Sequence, residues 1–131
     1  MNADPSQVVP EPPEGANRRL AQAQNLWIAT VRGDGAPHLV PVWFVWHEAF
    51  FYICTAPDSV KARNLEGNDR VVVALEDGST PLICEGVGGS IPRPWAEGVI
   101  AAFQHKYDWS IRSEAEYSRL IRVRPVRWIS W

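Results

Sequence analysis

The residues best able to do chemistry are concentrated in Ser59-x-Lys61-x-Arg63-Asn64, directly after the turn signal Ala56-Pro57-Asp58. A hydroxyl, an ammonium, a guanidinium and an amide meet there at a helix start. Helix N-termini carry partial positive charge and free N–H groups, so such a set attracts an anion. The helix end alone is worth only ~0.3–1 kcal/mol, up to ~2 when partly buried. Hydrogen bonds to charged groups contribute ~1.5–3 kcal/mol each, so Lys61 and a capping hydroxyl must do most of the holding. Two aromatic-rich apolar runs, Leu39–Trp46 and Phe50–Thr55, stand just upstream. An anion-binding helix start beside an aromatic wall is the chemistry a flat, phosphorylated aromatic ligand requires.

The two apolar runs meet at His47-Glu48, which implies a hairpin. Before them, Leu26–Val31 is β-like and closes in Arg32-Gly-Asp-Gly35, whose Asp-Gly pair is a hairpin signal. Further strands are expected at Arg70–Leu75, Pro81–Gly86 and Arg119–Trp131, the last interrupted by Pro125. Helices are expected at Arg18–Gln24 behind an Asn17 cap, at Val60–Glu66, and at Trp95–Tyr107 with Pro94 in its first turn. A last helical turn, capped by Ser113, falls at Glu114–Tyr117. Gly86, Gly88 and Gly89 lack the spacing of a dinucleotide fingerprint and mark a bulge or a close backbone approach. The set describes a mainly β fold, a six-stranded, mostly antiparallel barrel with short helices. Residues 1–16, rich in Pro and Glu, read as a flexible tail, and residues 17–131 as one domain.

The strand Pro37–Trp46 is apolar on both faces: Val40, Val42, Phe44 and Trp46 on one, Leu39, Pro41, Trp43 and Val45 on the other. A small barrel buries only one face of each strand, so the second face calls for another subunit, and a homodimer is expected. Seven Trp in 131 residues, against one Met, fit a ligand wall or a subunit interface. The formal net charge of −2 and the lack of a long basic run argue against non-specific nucleic-acid binding. No apolar run is long enough for a bilayer and no signal-peptide core is present, so no membrane partner and a cytoplasmic location are expected. Cys54 and Cys84 then read as buried thiols rather than a disulfide. His38, His47 and His105 are not spaced as metal ligands, so no metal site is expected; His38, alone at a strand start, reads as structural.

In order, Ala29-Thr-Val-Arg-Gly-Asp-Gly-Ala-Pro-His38, Pro41-Val-Trp-Phe44 and Ser59-x-Lys61-x-Arg63-Asn64-Leu65 resemble the pyridoxamine 5′-phosphate oxidase-like FMN-binding split β-barrel family. The resemblance covers roughly residues 26–128 and is greatest to the flavin/deazaflavin-dependent oxidoreductase branch. It implies a homodimer with FMN or the deazaflavin coenzyme F(420) in grooves at the subunit interface, and hydride transfer to a small planar substrate. Carried over by position, Lys61 and Asn64 would lie at the coenzyme phosphate and Ser59 would add a hydroxyl. Arg63 would assist or face solvent. Pro41, Val42 and Trp43 would run along the ring system, with Thr55 as a further contact. No catalytic residue is assigned, because the coenzyme carries the hydride. The family's basic substrate arm is missing, which argues against oxidation of pyridoxamine phosphate itself. The competing reading is a non-catalytic protein that holds a flavin, haem or other pigment on the same barrel.

Overall fold

The computed structural model describes residues 8–131. A short helix α1 (Ala16–Gln22) leads into β1 (Asn25–Val31) and β2 (Pro37–Trp43). Then come β3 (Val45–His47), β4 (Phe50–Thr55), α2 (Val60–Gly67), β5 (Arg70–Leu75) and β6 (Leu82–Ile91). The chain ends with α3 (Glu97–Tyr107), a 3₁₀ turn at Ile111–Ser113 and β7 (Arg119–Ser130). The strands form one antiparallel sheet in the order β2-β1-β5-β6-β7-β4-β3. This curled, mainly β architecture is that of the split barrel, with seven strands among the described residues rather than the expected six.

The extra strand arises at Phe44. The expected continuous strand 37–46 breaks there, and its halves pair at opposite edges of the sheet, β2 with β1 and β3 with β4. Phe44 leaves the ladder because α3 supplies its backbone partners. Its N–H donates to the Tyr107 hydroxyl at 3.0 Å, and its carbonyl accepts from Lys106 Nζ at 2.9 Å. Its ring is fully buried, so the sequence's hydrophobicity is satisfied without strand pairing. The predicted hairpin therefore involves only residues 45–47 of the first run, and it turns through Glu48 and Ala49, both at positive φ.

Other boundaries also moved. α1 begins at Ala16 behind Gly15, whose left-handed conformation ends the preceding turn; Asn17 is inside the helix and is not its cap. β6 continues past Gly86 to Ile91, and the glycine there serves a bulge at Glu85/Gly86. A Cβ on Gly86 would stand 2.7 Å from the Arg124 carbonyl oxygen, the close backbone approach that the glycine implied. α3 starts at Glu97 with Pro94 outside it, and residues 114–117 are not helical.

The main core lies inside the curl, built from Leu26, Ile28, Phe44, Phe51, Ile53, Val73, Ile121 and Val123 under α1 and α2. A second cluster joins α3, through Val99 and Phe103, to Val45, Tyr52, Ile111 and Leu120. Thus the apolar stripe of α3 is spent on β3, and the end of the helix is free to fix the strand break.

Candidate functional site

Ser59 caps α2: its Oγ accepts from the Ala62 N–H at 3.2 Å. The capped helix packs against β1 and β6. Asn64 donates from Nδ2 to Thr30 Oγ1 at 3.0 Å, and Thr30 is almost fully buried on β1. Directly across the ladder from Thr30 is His38. This cross-link of side chains sets where Lys61 emerges.

Lys61 points into a cavity of about 630 Å³ whose walls also include Pro41, Val42, Trp43, Thr55 and Cys54. Five of the eight residues singled out in the sequence therefore share one cavity: Pro41, Val42, Trp43, Thr55 and Lys61. They come from β2, β4 and α2, which are not neighbours in the sheet order, so the curl of the sheet unites them. Arg63 and Asn64 instead line a separate groove of about 550 Å³ with Arg32 and Asn68, between the β1–β2 turn and α2. Ser59 lines neither space.

Lys61 is half-buried and has no ion-pair partner among the described residues, and burial lowers its pKa. An ammonium held in that way gains from an incoming anion. His38 gives the same signal. Its Nδ1 is shielded from solvent without a hydrogen-bond partner among the described residues. Its pKa is lowered first by desolvation, then by Arg32 and by Lys61. A histidine caught between a cation of the groove and a cation of the cavity stands where an anion would relieve all three. The sequence reading treated His38 as structural. The missed signal was its alternation: His38 shares the inward face of β2 with Val40 and Val42.

The far wall of the cavity was not foreseen. Tyr107, Asp108, Trp109, Glu114 and Tyr117 complete it. The Tyr107 hydroxyl lies 2.7 Å from the carbonyl oxygens of both Gln24 and Phe44, one of which it donates to. Burial pushes its pKa up to about 12 against the Phe44 hydrogen bond, so it stays a protonated donor. Lys106 sits with Nζ 3.9 Å from the Phe44 ring centroid, and burial lowers its pKa to about 8. Cys54 and Cys84 are free; burial raises both thiols to about 12, so neither is a thiolate nucleophile at neutral pH. No group of three or more His, Cys, Asp or Glu suited to a metal ion occurs among the described residues.

The outer face of β2-β1-β5 is apolar and exposed. Leu39, Trp43, Trp27 and Val72 keep 59%, 44%, 38% and 37% of their surface in solvent. Pairing places Trp27 between Pro41 and Ala74, and Ala29 between Leu39 and Val72, so the patch is continuous. Trp43 belongs to both this patch and the cavity wall. No helix among the described residues is long and apolar enough to cross a membrane.

A model of the pyridoxamine 5′-phosphate oxidase family matches residues 13–131. No curated protein matches the sequence. Among solved structures, the haem storage protein HutZ of Vibrio cholerae is similar at 21% identity and a TM-score of 0.75, over 92% of this chain and 95% of HutZ. A structure described as an F(420) reductase is similar at 25% identity and a TM-score of 0.69, over 89% of this chain and 98% of the reductase. A form of HupZ from Group A Streptococcus shares 16% identity with a TM-score of 0.67, over 89% of this chain and 98% of that one.

Proposed function

The chain belongs to the pyridoxamine 5′-phosphate oxidase family, and we propose that it is an oxidoreductase using FMN or the deazaflavin coenzyme F(420). The reading rests on one observation above the others. A half-buried Lys61, without an ion-pair partner among the described residues, opens into the same cavity as Pro41, Val42, Trp43 and Thr55, which bring apolar and aromatic walls to the cation. In this reading Lys61 and His38 hold the coenzyme phosphate, with Arg32 and Arg63 adding positive charge from the adjoining groove. Pro41, Val42 and Trp43 run along the ring system, and Pro41 leaves a backbone position without an N–H donor. Thr55 contributes a hydroxyl. Ser59 and Asn64 act by position, one capping α2 and the other tying it to Thr30, which departs from the direct phosphate contact that the resemblance implied for both.

Such a coenzyme supplies the hydride when bound. The chain's part is to orient the ring, exclude water and keep charge near the phosphate. The protein is proposed to act as a homodimer joined through the β2-β1-β5 face, with no nucleic-acid or membrane partner and a cytoplasmic location. A contiguous apolar patch that reaches the cavity wall through Trp43 supports that arrangement.

The similarity to an F(420) reductase bears on the coenzyme, whereas that to HutZ, a haem storage protein, bears on the competing reading of a barrel without turnover. The cavity's own donor set favours the flavin type. Haem iron takes His, Cys thiolate, Met or Tyr as axial ligand. This wall has no His or Met, its Cys54 thiol is held protonated, and its Tyr107 hydroxyl is committed to backbone. Reduction of bound coenzyme followed by oxidant-dependent reoxidation, measured by stopped-flow absorbance, tests the enzyme reading. Coenzyme that binds and never cycles faster than in free solution defeats it.

A further inference from the structure

We propose that the end of the cavity walled by Trp43, Trp109 and Tyr117 and edged by Glu114 is a subsite for a planar aromatic cation, the second reactant beside the coenzyme. The inference deepens the coenzyme reading above and rests on it for the word reactant, but the subsite's preference for positive charge is a property of these side chains alone.

The cavity is electrically two-sided. Lys61 is the one Lys, Arg or His among the residues that line it, and Asp108 and Glu114 are its acids. Lys61 forms no ion pair with either among the described residues. Lys61 and the two acids therefore do not neutralise one another by direct pairing. A ligand with its phosphate at Lys61 leaves the acidic end for another molecule.

Glu114 is built to remain charged. Its Oε1 accepts from Trp109 Nε1 at 3.0 Å and its Oε2 from the Glu116 N–H at 3.0 Å. These donors hold its carboxyl below the usual carboxylate range. No cationic side chain pairs with the group among the described residues, so its negative charge is not neutralised by a neighbour.

The rings beside it form an open corner. Trp109 stands edge-on to Trp43, with centroids 6.1 Å apart at 73°, and edge-on to Tyr117, with centroids 6.1 Å apart at 88°. One face of Trp43 is covered by the Tyr107 ring, so Trp43 closes the corner, and Tyr117, which keeps 44% of its surface exposed, offers a free ring face. Aromatic faces attract cations, most strongly where water is thinned out. Fixed negative charge and a free ring face together select a flat cation and repel an anion. An anionic substrate, a phosphorylated pyridine included, is disfavoured on the same ground.

The test compares two flat dyes of opposite charge, methylene blue (a phenothiazinium cation) and indigo-5,5′-disulfonate (a dianion), by calorimetric titration at low salt with and without FMN or F(420). Methylene blue is expected to bind at least about tenfold more tightly, a difference near 1.4 kcal/mol. Glu114→Gln, which keeps the acceptor for Trp109, is expected to weaken the cation about three- to tenfold. Tyr117→Ser, at an exposed ring, is expected to weaken it similarly, and neither change should alter coenzyme affinity. Equal affinity for the two dyes, or a cation preference untouched by both variants, overturns the inference. So does a Glu114→Gln variant that loosens self-association without changing dye affinity, which would assign the corner to a basic side chain of a second copy. If coenzyme binds and the dye preference is absent, the subsite alone fails. If no coenzyme binds, the coenzyme reading fails while the dye titration on the free protein still decides the subsite.

Discussion

The Tyr107 phenol lies flat against the Trp43 indole, with ring centroids 4.4 Å apart and planes 5° from parallel. Trp43 is the last residue of β2 and Tyr107 the last of α3. The stack therefore locks the end of the helix to the strand that walls the cavity. Beside it, the Tyr107 hydroxyl meets the backbone of Phe44, where the chain leaves one edge of the sheet for the other. One side chain thus shapes the cavity wall and fixes the strand break.

Tyr107→Phe keeps the stack and removes the hydroxyl, leaving the buried Phe44 N–H short of a partner. A loss of about 1–3 kcal/mol in unfolding free energy is expected from an unsatisfied buried group. Urea denaturation measures it. An unchanged midpoint with an unchanged slope would mean that the Phe44 backbone is satisfied in another way.

Lys106 gives a pH signature. Its folded pKa, lowered to about 8 by burial, lies below the usual lysine value, so between the two the unfolded chain binds more protons. Stability must then rise with pH across that window, the penalty being fully present below pH 8. Measured against Lys106→Met, wild-type protein should gain relative stability from pH 8 towards 10.5. A flat difference would show that the ammonium's contacts with Phe44 offset its burial.

His38 should report anion binding directly. Its pKa is depressed in the free protein, mainly by burial and then by Arg32 and Lys61, so it is neutral at pH 7. A bound phosphate opposes those causes, and the His38 pKa should rise in the complex, read from imidazole NMR shifts during titration. Coenzyme binding should correspondingly strengthen as pH falls through that range. A His38 resonance that titrates identically with and without FMN or F(420) would remove it from the phosphate site.

Charge on the outer sheet face should separate subunits. Leu39→Glu places a carboxylate in the row that Leu39 forms with Ala29 and Val72 across the patch. Its native side chain is already 59% exposed within one subunit, so the fold should tolerate the change. Sedimentation should shift from dimer to monomer at micromolar concentration, and coenzyme affinity should fall with it. A wild-type protein that is itself monomeric there would refute the proposed assembly.

Much of this was legible in the residues. The alternation of Val40 and Val42 against Leu39, Pro41 and Trp43 correctly separated the inward from the outward face of β2. The Ser59 cap and the Gly86 bulge followed from local chemistry. The break at Phe44 did not, because its cause lies 63 residues away in Tyr107. Strand-like hydrophobicity cannot reveal that a remote side chain will take over the backbone hydrogen bonds. The distant wall of the cavity was hidden for the same reason, since Trp109, Glu114 and Tyr117 sit in irregular chain after α3 with no periodic pattern. Arg63 is near Lys61 in sequence but not in orientation, since two residues of helical rotation turn it into the outer groove, whereas Asn64 shares the side of Lys61 and is drawn to Thr30 by its hydrogen bond.

The most direct test of the proposed site is Lys61. It should be run as a titration of coenzyme-free wild type and Lys61→Ala with FMN and with F(420), followed by tryptophan quenching. The loss of one charge-assisted hydrogen bond to phosphate, about 1.5–3 kcal/mol, predicts affinity weakened about tenfold to a hundredfold. Unfolding of the coenzyme-free variant should be unchanged or slightly later, since a half-buried ammonium without a partner is removed. Strong quenching in wild type with that loss in the variant is the predicted result. Wild type that binds neither coenzyme, or a variant that binds as tightly as wild type, would contradict the account.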